Sequence, residues 1–159
     1  MMQGEIYSAE DFGTPGHLTF NMDRMLDEDA EYFIFNGASM ALASDQYALH
    51  ANVGDTVRIF FGVGGPNATS SFHVIGEIFD RVYSQASITG DPLTDVQTTT
   101  VPPGGATMVE FTLEVPGRYI LVDHALSRLE RGLAGFLYVE GVDNPSVFYG
   151  EELTPGSGH

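Results

Sequence analysis

Residues 107–139 read TMVEFTLEVPGRYILVDHALSRLERGLAGFLYV. Thr107 to Leu113 alternates apolar and polar side chains, the pattern of a strand with one buried face. Val115-Pro116-Gly117 is a turn signal, and Arg118 to Val122 reads as the strand that follows it. Ser127 to Gly132 fits a single helical turn, and Phe136 to Val139 is a final strand. Short strands, close turns and no sustained helical period indicate an all-β domain.

The same grammar extends upstream. Tyr32 to Phe35 is a strand closed by Asn36-Gly37, and Leu49 to Val53 is short and extended. After Gly54-Asp55, Thr56 to Val63 is β-branched and aromatic, the composition of a buried strand. Gly64-Gly65-Pro66-Asn67 is a loop before the strand Ser71 to Ile75. Gly76 to Tyr83 follows, and Thr98 to Val101 precedes Pro102-Pro103-Gly104-Gly105. Seven or eight such strands predict a Greek-key β-sandwich over residues 31–141. Residues 1–30 read as an N-terminal arm: Glu5-Ile6-Tyr7 is a short extended piece, Gly13 to Gly16 breaks the chain, and Asn21 to Asp29 fits one or two helical turns capped by Asn21 or Asp23. Residues 142–159 form a C-terminal extension whose end, Pro155 to His159, has the composition of a disordered tail.

Composition narrows the chemistry. The chain has 159 residues, one domain's worth, and no Cys. A disulfide framework, a thiolate zinc site, a cysteine nucleophile and a type 1 blue-copper centre are therefore excluded. Six Arg and no Lys face 22 acids, for a net charge of −16. Such a surface repels nucleic acid and anionic membranes. A hydrophobic content of 43%, with 11 Phe and 7 Tyr, argues for a folded core rather than disorder. An acid-rich, Lys-free surface on a folded domain is what a salt-loving organism is expected to make. No apolar run is long enough for a membrane span, and the N-terminus lacks the basic and apolar regions of a signal peptide.

Chemistry-bearing residues are few. A histidine is a common metal ligand or acid/base group, but a lone one beside a strand is more often a hydrogen-bonded structural residue. His17 lies in the arm and His159 in the tail, and His50 opens a short surface strand. His73 and His124 differ, being set among apolar strand residues in Ser-Ser-Phe-His-Val-Ile-Gly and Leu-Val-Asp-His-Ala-Leu. Two such histidines can serve one site or two. No G-x-S-x-G, P-loop, H-E-x-x-H or G-x-G-x-x-G motif occurs. Ser70-Ser71 lies near His73, but nothing orients a triad.

Pro116 to Tyr119 and Gly132 to Val139 resemble the closing strands of a cupredoxin. In copper-bearing cupredoxins that segment holds Cys, His and Met; here Cys is absent and Leu133 stands where the Met is expected. Ser71 to Asp80, Val96 to Pro102 and Leu121 to Arg128 are similar to the second domain of trimeric copper nitrite reductases, as are Phe35-Asn36-Gly37 and Gln3 to Tyr7. The likeness runs from about Gln3 to about Gly141.

That resemblance implies a catalytic type 2 copper between subunits, with two His ligands from the first domain of one subunit and a third from the second domain of its neighbour. It places that third ligand at His124 and the proton-delivering His, working with a first-domain Asp, at His73. Ile75 would shape the nitrite pocket, and Thr98 would hold the His73 ring. The implied partners are nitrite, an N-terminal cupredoxin domain, the other subunits of a homotrimer and an electron-donor protein acting through that first domain. The implied location is periplasmic or otherwise extracytoplasmic. Two other readings stay open: a non-catalytic interaction or trimerisation module, and a small metal-binding protein using His17 or His50 as well.

Overall fold

The computed structural model describes residues 1–150. Eleven strands form two mixed sheets. They are β1 (Met2–Ile6), β2 (Tyr32–Phe35), β3 (Leu49–Asn52), β4 (Thr56–Gly65), β5 (Ser70–Ile75), β6 (Phe79–Tyr83), β7 (Leu93–Val96), β8 (Thr98–Val101), β9 (Ala106–Thr112), β10 (Gly117–Asp123) and β11 (Gly135–Glu140). The six-stranded sheet runs β2-β1-β4-β9-β6-β7 and the five-stranded sheet β3-β11-β10-β5-β8. The fold is an all-β, cupredoxin-like sandwich with two short helices, α1 (Met22–Leu26) and α2 (Ser127–Glu130).

An aromatic stack joins the sheets. Phe72 of β5 lies between Phe61 of β4, at 4.2 Å between ring centroids, and Phe79 of β6, at 5.8 Å. All three are shielded from water, as are Phe35 and Phe111 beside them. Large rings from facing sheets bury the most apolar area per residue and so dominate the cohesion of a core this size. Gly76 moves the chain from one sheet to the other between β5 and β6. It sits at φ +104°, and a Cβ there would lie 3.0 Å from the Tyr119 ring, so only glycine suits the crossing.

The expected arm needs correction at its start. Met2–Ile6 is an inner strand, antiparallel to β2 and parallel to β4. Gln3 is fully buried and Tyr7 nearly so. The sequence marked only Glu5 to Tyr7 as extended, and both partners that bring the strand into the sheet lie far along the chain. The segment that follows is largely exposed, and Asn21 caps α1 by accepting the Arg24 N–H at 3.0 Å. Glu5 ties β1 to the loop before β5, accepting from the amides of Asn67 at 3.1 Å and Ala68 at 2.6 Å. Strands β6 and β7 separate into a hairpin at one edge of the six-stranded sheet, where the sequence pattern did not distinguish β7. The tail Pro155 to His159 lies outside the described residues.

Candidate functional site

Strand β5 buries Ser70, Phe72 and Val74 toward the core and turns Ser71, His73 and Ile75 to the outer face. His73 sits between two neighbours, with Val122 of β10 opposite on one side and Thr98 of β8 on the other. The packing leaves the residue only 6% exposed. His124 is the residue after β10, and its amide donates to the Ser71 carbonyl at 2.8 Å. The two imidazoles stand 5.3 Å apart between centroids, tilted by 47°. Two histidines 51 positions apart in sequence thus share one site.

The His73 ring has a defined orientation. Its Nδ1–H donates to the Gln97 carbonyl at 2.6 Å. A carbonyl only accepts, so Nδ1 keeps its proton and Nε2 is the atom free to gain or lose one. Thr98, expected to hold this ring, sits directly across the ladder and makes no hydrogen bond to it. The physical reason is the register: opposed residues in an antiparallel pair lie side by side. Gln97 lies between β7 and β8, where its carbonyl is free to turn toward the ring.

The His124 ring is exposed and, among the described residues, makes no hydrogen bond. An exposed imidazole that makes no hydrogen bond has a nitrogen to offer a metal ion, and imidazole is a donor type that suits copper. Among the described residues no three His, Asp or Glu side chains converge on one point. Ile75 projects from the same face two residues beyond His73 and is 39% exposed. His50 lies elsewhere, on β3 at the far edge of the sheet, stacked on Tyr138 at 5.6 Å. Three strand spacings, roughly 14 Å, separate β3 from β5. His17 is exposed in the loop before α1, and His159 lies outside the described residues. Leu133 is fully buried in the core.

Two features escaped the sequence reading. One is an open cavity of 550 Å³ beside His73, lined by Glu77, Asp80, Asp95 and Glu114 among others. Burial pushes the Glu77 carboxyl above its ordinary value; the Ile78 N–H opposes this, and the charges of Asp80 and Glu114 add to it. The other is the full burial of Asp123, whose place beside His124 is plain in the sequence but whose partners are not. Both depend on segments that meet only in the fold.

The multicopper oxidase family matches residues 13–142 of the chain. The chain belongs to that family. A copper-containing nitrite reductase of Neisseria meningitidis serogroup A is 47% identical over 150 residues, covering 92% of this chain and 38% of that protein. The chain therefore spans about two fifths of the length of such relatives. Among solved structures, a Cu-containing nitrite reductase of Thermus scotoductus superposes with a TM-score of 0.72 at 28% identity, covering 87% of this chain and 29% of that one. The copper nitrite reductase of Nitrosomonas europaea gives 0.71 at 26% identity, covering 91% and 49%.

Proposed function

We propose that this chain is the second cupredoxin domain of a nitric-oxide-forming copper nitrite reductase. Within it, His124 supplies one ligand of a type 2 copper shared with a neighbouring subunit's first domain, and His73 supplies protons. The observation that carries the reading is the pairing of an open imidazole, His124, with a shielded and oriented one, His73, at 5.3 Å. The reaction is NO₂⁻ + 2H⁺ + e⁻ → NO + H₂O. Bound copper would supply the electron and act as the Lewis acid toward nitrite.

The chain's own residues handle binding geometry and protons. Gln97 holds Nδ1–H of His73, which leaves Nε2 as the nitrogen that can pass a proton to the anion. Ile75, apolar and half-exposed on the same face, restricts how nitrite lies. With no Cys, and with Leu133 at the position of the axial Met, the chain brings no type 1 copper. Electrons reach the site through the first domain from a donor protein. The working form is a trimer outside the cytoplasm.

Reconstitution with a first-domain polypeptide and copper tests this. Nitrite turnover is expected, with loss of copper in His124→Ala and loss of turnover with copper retained in His73→Ala. An assembled, copper-loaded complex that produces no nitric oxide sinks the proposal. Unchanged partner binding in both variants, with no turnover in any form, would instead favour a non-catalytic docking module.

A further inference from the structure

Asp123 ends β10 and points opposite to His124, as successive strand residues do. Its side chain is fully buried, yet every oxygen is occupied. Oδ1 accepts the Ser71 N–H at 3.1 Å and the Ala125 N–H at 3.1 Å. Oδ2 accepts from Gln3 Nε2 at 3.0 Å and from the Arg128 guanidinium. Arg128 also donates to the Thr69 carbonyl at 2.7 Å and lies over the Phe33 ring.

Position gives these contacts their meaning. Ser71 lies two residues before His73 on β5, and Ala125 directly follows His124. The His124 N–H returns a bond to the Ser71 carbonyl, closing a loop of bonds between the two histidine-bearing segments. Gln3 comes from β1 in the opposite sheet, so one carboxylate also joins the layers beneath the site. A carboxylate offers about four acceptor directions, and four donors use them here.

We propose that Asp123 is a positioning residue that sets His124 against His73. The consequence for copper rests on the functional reading above; the geometric claim does not. The requirement is for a carboxylate. An asparagine of the same shape turns an NH₂ group either toward Gln3 and Arg128 or toward the Ser71 and Ala125 amides. Either way donors face donors, and two of the four bonds are lost.

The test is Asp123→Asn in the whole chain, read by NMR. Amide exchange at Ser71 and Ala125 is expected to rise at least about tenfold. The nuclear Overhauser contact between the His73 and His124 rings is expected to weaken. Leu137→Ala, a core change on β11, is the control for general destabilisation and leaves that contact intact. In the copper-loaded assembly with a first domain, Asp123→Asn is expected to retain copper about tenfold less tightly, the size of effect seen for groups that orient metal ligands. Unchanged exchange and ring contact in Asp123→Asn overturn the proposal, and so does an equal loss in Leu137→Ala. If Asp123→Asn does not fold, Arg128→Met is read by the same criteria, because it removes the single nitrogen, Nη1, that donates to both the Thr69 carbonyl and Asp123. If His124→Ala retains copper as well as the parent does, the functional reading fails, while the ring contact still decides the role of Asp123.

Discussion

Phe60 and Phe61 are adjacent and chemically identical, yet β4 sends them to opposite faces. Phe60 is 63% exposed and Phe61 is 1% exposed. Phe61 stacks on Phe72 at 4.2 Å and meets Phe35 edge-on at 6.2 Å. Truncating it removes a ring from the junction of the sheets and leaves a cavity between rigid neighbours. Phe61→Ala is expected to cost about 3–5 kcal/mol. Phe60→Ala removes a largely solvated ring and is expected to cost under about 1 kcal/mol, mostly strand propensity. For a domain of this size each kcal/mol moves the Tm by roughly 2–4 °C. The buried change therefore lowers the Tm by roughly 6–20 °C and the exposed one by less than about 4 °C. Thermal and urea unfolding of the two variants, with unchanged m-values, is the assay. Equal losses, or a larger loss for Phe60→Ala, would mean that β4 pairs with β9 one residue out of the register Phe61↔Thr107. A one-residue slip exchanges the two faces of a strand, so that result would refute the core described here.

Three further outcomes are expected. Glu77 has a raised carboxyl pKa in the fold, so it binds its proton more tightly folded than unfolded; stability is fullest below its ordinary value of 4.5 and falls as pH rises past it. Glu77→Gln is therefore expected to gain Tm over the parent at pH 7 and not at pH 4, and a gain of equal size at both would remove that account. With a net charge of −16, raising NaCl from about 0.1 M to about 1 M shortens the screening length from ~10 Å to ~3 Å and is expected to raise the Tm and the refolding yield. A yield lower at high salt would count against self-repulsion as the dominant surface term. Thr98→Val is expected to leave the His73 ring protonated at Nδ1, as read from imidazole ¹⁵N shifts, because the Gln97 carbonyl holds that proton; a switch of tautomer would assign the role to Thr98 instead.

Much of the fold was legible in residue order. Strands β4, β9, β10 and β11 announce themselves by apolar content and by turns at Gly54-Asp55 and Pro116-Gly117, because those signals are local. The motifs around His73 and His124 singled out two histidines from five for the same reason. Strand β1 was read as part of an arm, extended only at Glu5 to Tyr7, because its place in the sheet comes from β2 and β4, and Gln3 meets Asp123 of the opposite sheet, all remote in sequence. The edge strand β7 was missed because its burial is slight and its pattern mixed.

The candidate site divides along the same line. Residue order alone shows that this chain carries no Cys, and it sets the charge of the surface. Only the tertiary structure could bring His73 and His124 to 5.3 Å, because β5 and β10 become neighbours through the sheet and not along the chain. It alone assigned the His73 proton to Nδ1 through Gln97 and gathered Ser71, Ala125, Gln3 and Arg128 around Asp123. Hydrogen bonds of this kind depend on distances of a few ångströms between segments that are remote in sequence, and local residue patterns do not contain those distances.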